Sequence, residues 1–191
     1  MLIGKIPNII PARKCKIVAL TSEQECKFFN TTHIQGYKAS SSCYALTYEE
    51  TIVCAISFIK SRFNKQYQYE LLRFSNALNA TVIGGASKLF KYFIKTHNPN
   101  SIITYSDKRW NTGQLYTTLG FKYLHTSAPN YFYFSKNNVL NLQSRQTYQK
   151  HKLPKVLNQF DISVSEWENM QLNGYDRIWD CGNAVYGWES I

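Results

Sequence analysis

Asp107, Lys108 and Arg109 stand together directly after the apolar run SIITYS, and Tyr116 follows Arg109 by seven residues. A carboxylate at the end of a strand serves as a general base or orients an amine, and a guanidinium beside it holds a phosphate through two parallel hydrogen bonds. Trp110 would shield such a site from water. The alternative is an ordinary Asp–Arg turn pair. Tyr116 is the candidate general acid, a phenol with a pKa of about 10 in water that a nearby cation lowers; its alternative is a half-buried helix tyrosine. His33, in the loop HIQG, is placed to shuttle a proton or touch substrate, against the alternative of a structural or exposed loop histidine.

A second group lies in VIGGASK, where Ile83, Gly84, Gly85, Ala86, Ser87 and Lys88 bracket a glycine turn. Two glycines and small residues let the backbone pass close to a ligand and leave the first amides of a new helix unpaired, the arrangement that binds phosphate groups. The Ser87 hydroxyl suits a phosphate better than Lys88, which is expected to point to solvent. The alternative is a plain strand-to-helix turn with a lysine stripe. Upstream, Glu70 and Arg73 are an odd number of residues apart on one strand, so they are expected on opposite faces, with Arg73 facing an anionic ligand.

These residues need a sheet and at least two helices to hold them. Residues 13–20 alternate as a first strand, and Thr21 or Ser22 caps a helix running toward Phe28 and Phe29. Cys43 to Leu46 and Ile52 to Phe58 form a hairpin turning at Glu49 and Glu50, and Tyr69 to Phe74 is a further strand. After the glycine turn, Ala86, Leu89, Phe90, Phe93 and Ile94 repeat at helical spacing and mark one buried face. Ser101 to Ser106 reads as a buried strand, Thr112 to Leu119 as a helix stopped by Gly120, and Phe121 to His125 and Tyr131 to Phe134 as strands. The alternation specifies an α/β (α+β) protein with a mixed central sheet flanked by helices.

Composition changes near residue 137, so the chain divides into an N-terminal arm (1–12), a main domain (13–136) and a basic extension (137–191). In the extension Arg145, Lys150, Lys152 and Lys155 cluster around Tyr148 and His151, with little apolar surface of their own. Ser163 and Glu166 stand at capping-box spacing before a helix ending at Gly174, and YDRIWDCGNAVYGW reads as an aromatic hairpin around Gly182. The formal charge of +10, from 22 basic against 12 acidic residues, favours a polyanionic partner. The alternative for the basic residues is a solvated face.

Five cysteines with no C-x-x-C pair indicate neither a zinc cluster nor a disulfide framework, so no metal site is expected and the thiols read as reduced and mostly buried. The start MLIGKIPNII is too interrupted by Lys5 and Pro7 for a signal peptide, and no apolar run approaches a membrane span. A cytoplasmic location is expected.

The glycine turn TVIGGA and the later YTTLGF resemble the GNAT superfamily of N-acyltransferases. There the turn has the form R/Q-x-x-G-x-G/A and holds the pyrophosphate of an acyl-CoA, and the tyrosine of Y-x-x-x-G-F protonates the leaving thiolate. Thr81 departs from the first motif's Arg or Gln, and Arg109 stands where many members have Asn. Longer motifs, HIQG, YELLRFSN, VIGGASKLF, ITYSDKRW, LYTTLGF, PNYFYF and GYDRIWDCGN, are similar to a phage-encoded domain found alone or behind Vsr-like or Hef-like endonuclease domains, and to Mom-type DNA-modification proteins. The resemblance implies an acetyl-CoA or related donor, a duplex DNA partner, adenine amines as acceptors, a role in shielding phage DNA from restriction, and the cytoplasm of a bacterial host. The competing expectation is a non-catalytic, GNAT-shaped DNA-binding module of the kind that targets homing endonucleases.

Overall fold

The computed structural model describes residues 8–190; Lys5, Pro7 and most of the expected N-terminal arm lie outside the described residues. In chain order the elements are β1 (Asn8–Pro11), β2 (Lys16–Ala19), α1 (Ser22–Thr32), β3 (Ser42–Tyr48), β4 (Thr51–Lys60), β5 (Tyr69–Asn76), β6 (Ala80–Ile83) and α2 (Gly85–His97). They continue as β7 (Ser101–Asp107), α3 (Gln114–Thr118), β8 (Lys122–Thr126), β9 (Tyr131–Ser135), β10 (Asn138–Ser144), α4 (Leu153–Val156), α5 (Glu166–Leu172), β11 (Tyr175–Trp179) and β12 (Asn183–Glu189). Two compact units result: residues 8–106, 112–125 and 184–190 form the first, and residues 107–111 and 126–183 the second.

The main sheet has the order β2-β3-β4-β5-β7-β12-β8. Strands β2 to β5 pair antiparallel, and the β3–β4 hairpin closes through Glu49 and Glu50, both at positive φ. Strand alternation sends Cys43, Ala45 and Ala55 to one side, with Phe28 and Phe29 of α1, and Leu46, Cys54, Ile56 and Phe58 to the other, with Leu89, Phe90 and Phe93 of α2. Phe58 and Phe93 stack with centroids 3.6 Å apart. Helix α1 begins on a Thr21–Gln24 capping box, and α2 buries the apolar face its spacing predicts.

Several expectations give way. Strands β1 and β6 are additional; they pair in parallel with each other only. Residue 137 falls in the turn between β9 and β10, and β12 lies in the main sheet between β7 and β8, so the larger part of the second unit, residues 126–183, is inserted between β8 and β12 and is joined by residues 107–111 from the end of β7. The expected RIWDCGN hairpin is absent for the same reason: β11 pairs antiparallel with β9, whereas β12 joins the other sheet, and Gly182, at φ +70°, turns the chain between them. The capping box sits at Ser165 and Glu168, because Asp161 already accepts the Ser163 amide (2.8 Å) and hydroxyl (2.6 Å).

The second unit has its own core of Tyr131, Tyr133, Tyr148, Leu153 and Met170 around the sheet β10-β9-β11. Tyr148, expected at the surface among basic residues, is buried there and hydrogen-bonds Gln143. Charge is also distributed otherwise than expected. In the sequence, residues 1–106, 112–125 and 184–191 hold 14 basic and 6 acidic residues, Lys5 included, and residues 107–111 and 126–183 hold 8 and 6, so the excess is +8 for the first unit and +2 for the second. No helix among the described residues is long and apolar enough to cross a membrane.

Candidate active site

Strands β5 and β7 run in parallel and pair over three residues only, Tyr69–Leu71 with Ile102–Thr104. At the last pair the Thr104 hydroxyl donates to the Leu71 carbonyl at 3.0 Å. Past that pair each strand continues, β5 to Asn76 and β7 to Asp107, without registered partners on the other, which opens a wedge at the centre of the sheet. A parallel sheet that separates in this way offers backbone groups and short side chains to an extended ligand.

A bulge in β5 decides which side chains meet there. Ser57 lies opposite Arg73 and Phe58 opposite Leu71, so Leu72 is one residue too many for the ladder. The extra residue reverses the side-chain alternation, and Glu70 and Arg73, expected on opposite faces, lie close enough for the Glu70 charge to act on the Arg73 guanidinium. Arg73 donates to the Gly36 carbonyl (Nε, 3.0 Å) and the Leu72 carbonyl (Nη1, 2.9 Å), which ties the loop after α1 to β5 and commits these donors to the fold rather than to an anion. Glu70 is 6% exposed; Oε1 meets Arg62 Nη2 at 3.4 Å, and Oε2 is buried with no hydrogen-bond partner among the described residues.

Tyr116 stands over the same strands. It lies near Thr104 and packs edge-on to Phe121 and beside Tyr186. Burial raises its pKa, while Thr104 and the Arg73 charge act in the opposite sense. The net direction is upward, contrary to the lowering expected from a neighbouring cation, and it keeps the phenol protonated at neutral pH. His33 is also near Arg73. Burial, reinforced by that charge, lowers its pKa to about 4, so the ring is neutral at physiological pH. Its Nδ1 accepts the Gln35 amide at 3.1 Å, which spends the lone pair a base would need.

At the start of α2 the two glycines differ. Gly84 is exposed at φ +76° and is the N-cap without any side-chain cap, and a Cβ there would approach nothing nearer than the Ala12 Cβ at 3.8 Å. Gly85 is buried, and a Cβ on it would stand 3.0 Å from Cys54 Sγ and 3.1 Å from Val82, so its need is internal packing. Ile83 is exposed beside the turn and Ser87 half-buried, while Ala86 faces the core. Lys88, expected to reach solvent, instead donates to the carbonyls of Ala12 (2.9 Å) and Cys15 (2.6 Å), which fastens the segment after β1 against the helix. Thr81 lies in β6, paired with Ile9.

The remaining candidates belong to the second unit. Asp107 is 8% exposed and both its oxygens are held by Arg109, with Nη2–Oδ2 at 2.7 Å and Nε–Oδ1 at 3.0 Å; the Arg109 amide also donates to Oδ1 at 3.0 Å. A proton-accepting role for Asp107 has to compete with this bidentate hold, and so does a phosphate-holding role for Arg109, whose guanidinium lies 5.9 Å from the Phe132 ring centroid. Lys152 donates to the Gln146 carbonyl at 2.7 Å, and Arg145 lies 4.9 Å over the Tyr131 ring. Lys150 and Lys155 are exposed.

No protein-family model and no curated protein sequence matches the chain. Its fold is nevertheless that of the GNAT acetyltransferases, a mixed sheet flanked by helices. Among solved structures, an IAA acetyltransferase from Bacillus cereus matches at TM-score 0.52 and 12% identity over 92% of this chain and 99% of its own. A Bacillus subtilis acetyltransferase in complex with CoA matches at 0.51 and 10% identity over 93% and 100%, and a Staphylococcus aureus N-acetyltransferase at 0.51 and 14% over 92% and 98%.

Proposed function

We propose that the protein transfers an acyl group from an acyl-CoA-type thioester to an amine. The observation that carries this reading is the wedge between β5 and β7, with Tyr116 over it and α2 starting on an exposed left-handed glycine. The fold, shared with a protein bound to CoA, and the +8 excess of the first unit support an anionic donor of that kind. The first amides of α2, at Gly85, Ala86 and Ser87, would hold its pyrophosphate, and the separated edges of β5 and β7 its extended arm. When bound, the donor supplies an activated carbonyl.

The chain's own residues do the rest. Glu70, with one oxygen unpartnered, takes a proton from the attacking amine directly or through one water. Tyr116, held neutral by burial, gives its proton to the departing sulfur, and Arg73 stabilises the phenolate that remains. The acceptor we propose is an exocyclic amine of a DNA base. Its support is the motif resemblance to Mom-type proteins, and shielding of phage DNA from restriction rests on that resemblance as well. Calorimetry with acetyl-CoA tests the reading: saturable heat at micromolar to millimolar donor is expected, and none at millimolar donor leaves the non-catalytic DNA-binding module as the function.

A further inference from the structure

The inserted second unit carries a surface that acyl transfer does not use. In its sheet, Arg177 of β11 is opposite Tyr133, and Trp179 is opposite Tyr131. The Arg177 guanidinium lies 4.3 Å from the Trp167 ring centroid, 5.2 Å from that of Tyr131 and 5.3 Å from that of Trp179. Arg145 covers Tyr131 as well, at 4.9 Å. The result is a cluster of two guanidinium groups and three aromatic rings. Its Trp179 packs edge-on to Tyr131 and is 52% exposed. Arg145 also begins the basic segment, and next to it opens a cavity of about 540 Å³ lined by Ser144, Gln146, Thr147, Lys152, Lys155 and Val156.

We propose that this surface binds nucleic acid through unpaired bases, with a base stacked on Trp179 and the backbone running past Arg145 to the cavity holding Lys152 and Lys155. The unit's excess charge is only +2, too small to single out a polyanion by charge. Each of its six acidic residues is already engaged by a hydrogen bond: Asp107 by Arg109, Glu166 by the Tyr131 and Tyr133 hydroxyls, the exposed Asp161 and Glu168 by serines, and Asp176 and Asp180 by backbone amides. Exposed arginine and tryptophan planes beside lysines match a ligand that alternates flat rings with phosphates, whereas a closed duplex presents no ring faces. The inference is independent of the acyl-transfer reading, because binding is measured on the full chain without donor.

Fluorescence titration with a single-stranded oligothymidylate of roughly 15 nucleotides tests it. Tryptophan quenching is expected, with weaker binding of the matching duplex. Trp179→Ala should weaken binding about ten-fold, and Trp179→Tyr, which keeps a stacking face, should restore most of it. Lys152→Ala with Lys155→Ala should reduce the log–log salt slope by roughly 1.4. Oligouridylate in place of oligothymidylate separates RNA from DNA as the preferred source of the same chemistry. Equal affinity for duplex and single strand, unchanged binding by Trp179→Ala, displacement by heparin without quenching relief, or no binding at low salt would each overturn the proposal.

Discussion

Tyr116 and Asp107 are the two residues whose chemistry the structure reweighs most, and each leads to a measurable difference. Tyr116→Phe removes only the transferable proton, so donor heat should persist while thiol release slows by roughly 10²-fold. Asp107→Asn separates two roles. If the carboxylate serves Arg109, the variant melts earlier while transfer falls less than ten-fold; if it is the base, transfer falls by about 10² at unchanged melting temperature. The geometry favours the first outcome. His33 gives a pH signature. Its folded pKa of about 4 lies below the ordinary 6.5, so the unfolded chain binds more protons between those values. Its contribution is complete above pH 6.5 and is lost as pH falls toward 4, up to about 3 kcal/mol. Urea midpoints at pH 7 and pH 5 should differ less in His33→Gln than in the parent. The residue types at these positions were readable in the chain, but the hydrogen bonds that commit Asp107, Arg109, Arg73 and His33 depend on neighbours that local spacing does not reveal.

Among the elements, helix α2 and the bulged strand β5 position the site. The two glycines before α2 make separable predictions. Gly85→Ala forces a methyl against Cys54 and Val82 and should cost about 1–3 kcal/mol. Part of that should return when Cys54→Ala is added. Gly84→Ala meets open space but a left-handed backbone, for about 1 kcal/mol. Denaturant midpoints should therefore fall further for Gly85→Ala. The apolar periodicity of α2 and the buried run of β7 were legible because their burial follows from local pattern. The Leu72 bulge was not, since nothing in YELLRFSN distinguishes the extra residue from a regular one, and the pairing of Ser57 with Arg73 reveals it. Strand β6 escaped for a related reason: its partner is β1, about seventy residues earlier in the chain.

As a whole molecule, the chain leaves the main sheet after β8 and returns at β12, and the two crossings meet. The Ser127 amide donates to the Asn183 carbonyl at 2.8 Å, and the Asn183 amide to the Ser127 hydroxyl at 2.9 Å. Replacing residues 128–182 by a short glycine-rich connection should therefore leave a folded first unit that keeps its donor heat and loses oligonucleotide binding; circular dichroism and calorimetry check both. The insertion could not be read from composition, because the boundary near 137 marks only the turn between β9 and β10. The placement of β12 between β7 and β8 also governs synthesis on the ribosome. Until residues 183–189 are made, β7 has no neighbour on one side and β8 has none within its own sheet, and the gap closes only after the inserted unit has been translated. Such a late, long-range pairing delays folding and leaves strand edges open to other chains. Nascent chains halted before residue 183 should accordingly need a holding chaperone to stay soluble, and those halted well beyond residue 189 should not.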